Sequence, residues 1–240
     1  ISGSNHRFRI SLVLCLSAAV LAFAGCEDDS SKDSEASASG ASKANTFEAG
    51  SEADVFTFVV AADPETFDTA KMSGAPEGRL AMQLFEGLMV PGPTTEGLDD
   101  PSELVRYGVA KSHEVSDDGK TYTFHLRKDA KWTNGEPVTA QDFVFSWRRV
   151  LTPDTAADYA SMLFVIDGAE DYYNKLQKAS VEDEKLTQKD RDAAWEKVGV
   201  SAPDKRTLEV KLKHPIPYFT ELVAFYTFFP TPKKAIEKHG

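Results

Sequence analysis

The chain opens with a short basic stretch at residues 6–9, followed by an almost uninterrupted apolar run from Ile10 to Ala24. Small residues, Cys26 and an acidic run come directly after it. This order of basic, apolar and small residues is typical of a secretory signal peptide. The apolar run is shorter than the ~20 residues that a membrane-spanning helix needs. We therefore predict a signal peptide over residues 1–25.

A cysteine placed directly after small residues resembles a bacterial lipobox, here Leu21 to Cys26, with Phe23 as a departure from the usual aliphatic residue. The resemblance implies that the Cys26 sulfur carries a lipid that anchors the mature chain to a membrane. A plain secreted protein, or an uncleaved anchor, is the alternative. Residues 26–53 are rich in Ser, Ala and acidic residues and hold one aromatic, so they are predicted to be a flexible tether.

From residue 54 onward the polarity pattern becomes that of a folded protein. Val55 to Ala61 alternates as a strand. Pro76 opens a predicted helix that carries Leu80, Leu84 and Leu88 on one face. Residues 113–126 predict a β-hairpin with Gly119 in its turn, and Asn134-Gly135 predicts another tight turn.

The clearest helix signal runs from Thr139 to Leu151, where Thr139 and Asp142 are spaced as a capping box. Beyond it the pattern predicts helical pieces over 154–178, a charged linker over 181–191, a strand over 207–212, and short helices through 219–223 and after Pro232. Strands and helices interleave without a strict βαβ rhythm, so the predicted class is mixed α/β or α+β.

Composition and motifs exclude several classes of function. The formal net charge of −11 opposes binding to nucleic acid. Cys15 and Cys26 are the two cysteines and both precede the folded part, which excludes a disulfide framework there. The histidines have no metal-pair spacing, and no nucleophile elbow or phosphate-binding loop occurs. The carboxylates that could form an acid–base pair are better explained as cap, turn or loop residues: Asp117, Asp118, Glu136 and Asp142. We therefore predict no catalysis, no metal and no cofactor.

The segment from Ser116 to Leu151, SDDGKTYTFHLRKDAKWTNGEPVTAQDFVFSWRRVL, resembles the family 5 bacterial extracellular solute-binding proteins, which include the oligopeptide-binding proteins of ABC importers. Shorter stretches agree in the same order: 65–68, 84–88, 152–161, 216–219 and 232–237. The resemblance implies a longer protein with a two-lobed periplasmic-binding-protein fold of type II. On that template, residues 54–85 begin the first lobe, 86–231 form an inserted domain, and 232–240 return to the first lobe.

The same resemblance implies a ligand site at Ser73, Gly74, Ala75 and the ring of Tyr159. Ser73 departs from the acidic residue common among oligopeptide binders. On residue patterns alone, Ser73 to Ala75 equally suits a helix-entry turn, and Tyr159 equally suits core packing.

The implied function is capture of peptides in the periplasm or cell envelope by hinge closure, with delivery to the permease and ATPase subunits of an ABC importer. Other interpretations of the function remain open. The same fold could bind a dipeptide or a non-peptide solute. A secreted lipoprotein enzyme would need a catalytic set, and a surface interaction lipoprotein would need no importer.

Overall fold

The computed structural model describes residues 62–92 and 104–239. The predicted signal peptide, Cys26, the tether and the strand Val55–Ala61 lie outside these residues. Six α-helices are described: α1 (Ala75–Leu84), α2 (Ala140–Val150), α3 (Ala169–Val181), α4 (Gln188–Trp195), α5 (Phe219–Leu222) and α6 (Lys233–His239). The strands in the same residues are β1 (Met89–Pro91), β2 (Val105–Tyr107), β3 (Ala110–Val115), β4 (Thr121–Leu126), β5 (Val200–Asp204) and β6 (Thr207–Lys211).

The main sheet has the order β3-β4-β6-β5, and every neighbouring pair is antiparallel. The β3–β4 hairpin is confirmed, and Gly119 in its turn has a φ of +68°, the left-handed region that favours glycine. Along β4 buried and half-buried residues alternate, so Tyr122, Phe124 and Leu126 all face the core. β1 and β2 form a separate two-stranded ribbon.

Helix α2 supplies the centre of the core. The capping box at its start is present as predicted, with the Thr139 backbone N–H donating to Asp142 Oδ2 over 2.7 Å. Its apolar stripe includes Phe143 and Trp147, both fully buried. The Trp147 indole N–H donates to the carbonyl oxygen of Phe228 over 2.9 Å. This bond ties α2 to the segment that follows α5.

Three local predictions differ from the structure. Helix α1 ends at Leu84, because the backbone of Phe85 is extended. Leu84 is 58% exposed and the buried Leu88 lies beyond the helix, so the two do not share a buried helix face. Helix α4 begins inside the predicted 181–191 linker, where Thr187 and Asp190 form a second capping box. Strand β5 was not predicted, because a register irregularity between Ser201 and Asp204 hides the alternation that marks a strand.

A second, smaller core lies apart from the main one. Its buried members are Met72, Ala81, Tyr226 and Phe229, and the rings of Tyr159 and Phe225 pack against it. We call it the second cluster. It brings the chain just before α1 together with the segment just after α5. In the described part of the chain no helix is both long and apolar enough to span a membrane.

Candidate functional site

The structure brings all four predicted site residues together. Ser73, Gly74, Ala75 and Tyr159 line one open cavity of about 490 Å³. We call the first three residues the 73–75 loop. Tyr159 lies just before a 3₁₀-helix, far along the chain from this loop, so only the folded structure makes them neighbours.

Tyr159 connects the loop to the second cluster. Its hydroxyl donates a hydrogen bond to the backbone carbonyl oxygen of Ser73 over 3.0 Å. Its ring packs edge-on against Phe225 and Tyr226, with centroid separations of 5.4 and 6.1 Å. The interpretation of Tyr159 as a core residue is therefore confirmed, and its place in the cavity wall leaves the ligand contact a prediction.

The 73–75 loop is also the predicted entry turn of a helix. Gly74 is the N-cap of α1, and Pro76 occupies its first turn. Glu77 follows one residue later, is only 5% exposed, and accepts a hydrogen bond at Oε1 from the Glu65 backbone N–H over 2.7 Å. That bond and a bond from its own backbone lower the pKa of Glu77. A charged carboxylate thus ties the first turn of α1, directly after the loop, to the backbone of Glu65.

An ion pair lies at Asp68, on the segment that leads into the loop. Arg149, in the last turn of α2, donates two hydrogen bonds to the Asp68 carboxylate, with 2.6 Å from Nη1 to Oδ1. The two side chains are 14% and 18% exposed. Burial would raise the pKa of Asp68, but the hydrogen bonds and charge of Arg149 outweigh it and lower the pKa below its ordinary value.

Sequence reasoning missed half of the cavity wall. Five further residues line it: Gly78, Arg79, Met82, Phe225 and Tyr226. Burial, and then the neighbouring Tyr159 hydroxyl, raise the pKa of Tyr226, so it stays a neutral phenol at physiological pH. The aromatic density of residues 218–229 was a usable signal, but it did not indicate which rings face the loop.

A larger cleft of about 760 Å³ lies elsewhere, between residues 82–91, 127–138 and 229–232. The predicted site residues do not line it. Arg127 on its wall pairs with Glu86 over 2.5 Å. Met82 is the one residue that lines both this cleft and the cavity of the 73–75 loop, so the two lie side by side.

Three of the four carboxylates considered for acid–base chemistry have structural partners, and Asp117 is exposed in the hairpin turn. Asp142 caps α2, Asp118 accepts a hydrogen bond from the Ser116 hydroxyl over 2.6 Å, and Glu136 pairs with Lys234. Among residues 62–92 and 104–239, no group of three or more His, Cys, Asp or Glu side chains is arranged to hold a metal ion.

The comparisons of this chain with known proteins all point to one protein family. The model of the bacterial extracellular solute-binding proteins, family 5 (middle region), matches residues 105–239, more than half of the chain. The periplasmic oligopeptide-binding protein OppA of Haemophilus influenzae is 39% identical over 181 residues, 75% of this chain and 29% of OppA. The probable deoxycholate-binding periplasmic protein YgiS of Escherichia coli is 36% identical over 187 residues, 78% of this chain and 31% of YgiS.

The crystal structure of H. influenzae OppA in complex with the peptide RPPGFSPFR matches with a TM-score of 0.59 and 40% sequence identity, over 75% of this chain and 31% of OppA. The chain therefore spans less than a third of the relatives that it matches. The predicted fold class, mixed α/β of the periplasmic-binding-protein type, is confirmed. Since the family model matches residues 105–239 and the fold is shared, the chain belongs to the bacterial extracellular solute-binding proteins of family 5.

Proposed function

We propose that this chain is part of an extracytoplasmic protein that binds oligopeptides and delivers them to an ABC importer. The observation that supports this most directly is the 39% identity to a periplasmic oligopeptide-binding protein over three quarters of the chain. The chain provides one side of the ligand site, the 73–75 loop and Tyr159. The rest of the full-length protein provides the opposing lobe, and hinge closure on the peptide encloses it.

The chemistry of the cavity suits an extended peptide. Backbone groups of the loop can pair with a ligand backbone as an added strand, which gives affinity that does not depend on ligand sequence. The rings of Tyr159, Phe225 and Tyr226 offer apolar surface beside those groups, and the cavity is open enough to hold water around a side chain. The proposed protein therefore takes peptides of mixed sequence and performs no chemical step on them.

The cell-envelope setting belongs to the same proposal. Residues 1–25 direct secretion, Cys26 carries the lipid anchor, and residues 26–53 tether the folded part to the membrane. Residues 54–85 and 232–240 belong to the first lobe, and 86–231 form the inserted domain. The permease and ATPase subunits of the importer are the proposed protein partners.

Native mass spectrometry of the full-length mature protein, purified without added ligand, tests the proposal. A series of short peptides of mixed sequence, released on denaturation, is the expected result. If no peptide is released and peptide mixtures do not bind on titration, the peptide-transport function is wrong, and an interaction lipoprotein becomes the better hypothesis.

A second candidate keeps the fold and changes the ligand. Identity to YgiS, a probable deoxycholate-binding protein, is 36%, close to that with OppA. Release of a single non-peptide species of constant mass in the same experiment would favour a non-peptide solute over peptides.

A further inference from the structure

The ion pair between Asp68 and Arg149 has the geometry of a rigid connection. Two parallel N–H···O bonds fix both the distance and the orientation of the two groups, which a single contact does not. Both side chains are largely buried, so the pair is screened less than an exposed one. It joins the segment before α1 to the last turn of α2.

Asp68 controls the backbone that leads into the 73–75 loop. Its carbonyl oxygen accepts hydrogen bonds from the backbone N–H groups of Lys71, over 2.8 Å, and Met72, over 3.0 Å. Its carboxylate Oδ1 also accepts one from the Ala70 N–H over 3.2 Å. One residue thus folds the turn from 68 to 72, and this turn ends directly before Ser73. Met72, 1% exposed, anchors the end of the turn in the second cluster.

The other end of the connection is fixed in the main core. Helix α2 is held by the buried Trp147 and by the bond from its indole to Phe228. Ser146 on the same helix bonds to the backbone N–H of Thr231 over 2.7 Å. Arg149 therefore extends from a helix that has little freedom to move, and any constraint that it places on Asp68 reaches the turn.

We propose that Arg149 is a positioning residue for ligand binding, which holds the 73–75 loop in its binding geometry through Asp68. This inference rests on the proposed function of the loop. Pairing with a ligand backbone requires the loop to stay within about 0.5 Å of its productive position. A loop that must be ordered on binding loses affinity, because part of the interaction free energy offsets the entropy of ordering.

The adjacent residue provides a matched control. Arg148 also lies in the last turn of α2, and its Nη2 donates to Asp192 Oδ1 over 2.6 Å. Asp192 belongs to α4, and neither residue lines the cavity. Arg148→Gln removes the same charge from the same helix turn without touching the turn at 68–72.

The test compares Arg149→Gln, Arg149→Lys and Arg148→Gln in the full-length protein. The affinity for a peptide pool is measured by calorimetry, and hydrogen exchange of residues 68–75 is measured without ligand. We expect Arg149→Gln to weaken binding about tenfold or more and to accelerate exchange of the 73–75 amides. Arg149→Lys keeps the charge but loses the two-bond geometry, so it should fall between Gln and the wild type. Arg148→Gln should stay within about twofold of the wild type in affinity.

The inference is overturned if Arg149→Gln lowers stability but leaves both affinity and loop exchange at the level of Arg148→Gln. Arg149→Lys preserves the comparison if Arg149→Gln does not fold. If the wild type binds no peptide, the proposed function fails. Even then the exchange data decide the positioning role, since unchanged exchange of 73–75 in the Arg149 variants contradicts it without reference to any ligand.

Discussion

The Glu77 carboxylate fills the space beside Gly74 in which a side chain would begin. A Cβ at position 74 would lie 2.1 Å from Glu77 Oε2. The backbone of Gly74, with φ −91° and ψ 164°, is open to any residue. A side chain at position 74 is therefore disfavoured by the neighbouring carboxylate, which would have to move, and not by backbone conformation.

Gly74→Ala should displace either the loop or Glu77, because both cannot keep their places. We expect a loss of about 1–3 kcal/mol in the free energy of unfolding, the usual cost of adding a methyl group to filled space. Peptide affinity should fall as well, because the added methyl group lies in the 73–75 loop itself. Denaturant unfolding and calorimetric titration of the full-length protein measure the two effects.

The double variant Gly74→Ala/Glu77→Ala tests whether the contact between the added methyl group and the Glu77 carboxylate causes the loss of stability. Glu77→Ala alone leaves the Glu65 backbone N–H without its partner, which destabilises the protein. In the double variant the space is free, so its loss of stability should be clearly smaller than the sum of the single losses. Additive losses would show that the 2.1 Å approach is not what excludes a side chain.

Tyr159→Phe should weaken peptide binding while leaving the fold intact. The change deletes the bond to the Ser73 carbonyl oxygen and keeps the ring that packs on the second cluster. We expect a loss of about 0.5–1.5 kcal/mol in stability, the usual net value of one hydrogen bond. Affinity for peptides should fall roughly three- to tenfold, as measured by calorimetry.

Tyr122→Phe is the matched control for that variant. The Tyr122 hydroxyl donates to the Ile216 carbonyl oxygen over 2.9 Å, which is the same type of bond, and it lies outside the cavity of the 73–75 loop. Tyr122→Phe should therefore lower the free energy of unfolding by a similar amount and leave the affinity for peptides unchanged. Equal effects of the two variants on affinity would remove Tyr159 from the ligand site.

The elements that the sequence predicts well are those with local signals. Strand β4 of the β3–β4 hairpin has strict alternation, the hairpin turn has a glycine where φ must be positive, and α2 has a capping box and an apolar stripe. Strand β5 lacks such a signal, because its pairing with β6 is irregular. Helix α1 stops early because Phe85 turns to an extended backbone, and no proline or glycine stands at that position.

The candidate site likewise contains one part that has a local sequence signal and other parts that have none. The 73–75 loop could be placed as a helix entry because Pro76 marks it locally. Its partner Tyr159 stands 86 residues away, so no local pattern connects the two. Likewise, the pairing of Asp68 with Arg149 spans 81 residues and became visible only in the structure. Family resemblance supplied the predicted site, and the packing of the second cluster supplied its remaining wall.

Ser146→Ala should destabilise the protein considerably, although the substitution removes only one hydroxyl group. The buried Ser146 Oγ donates to the Asp142 carbonyl oxygen over 2.7 Å and accepts from the Thr231 backbone N–H over 2.7 Å. Alanine would leave that N–H buried without a partner, which costs about 1–3 kcal/mol. Thermal and denaturant unfolding measure this loss. The exposed Ser161→Ala is the control and should change stability by less than about 0.5 kcal/mol.

Acidification should remove the contribution of the Asp68–Arg149 pair. The pKa of Asp68 in the folded protein lies below its ordinary value of 3.8, so the unfolded chain binds the proton more tightly. The stabilisation is therefore complete above pH ~5 and is lost as the pH falls through the lowered pKa of the folded state. Asp68→Asn should cost about 2–4 kcal/mol at pH 7, somewhat less than a fully buried pair.

Unfolding free energies of the wild type and Asp68→Asn, measured from pH 7 down to pH 3, test whether the stabilisation is lost on acidification. The difference between the two proteins should stay constant from pH 7 to about pH 5 and shrink below that, since protonated Asp68 no longer has a charge for Arg149 to neutralise. Arg149→Gln should converge on the wild type over the same range, because it removes the other half of the same pair. A difference that stays constant down to pH 3 would mean that the cost of Asp68→Asn comes from the side-chain hydrogen bond to the Ala70 N–H and not from the charge of the carboxylate.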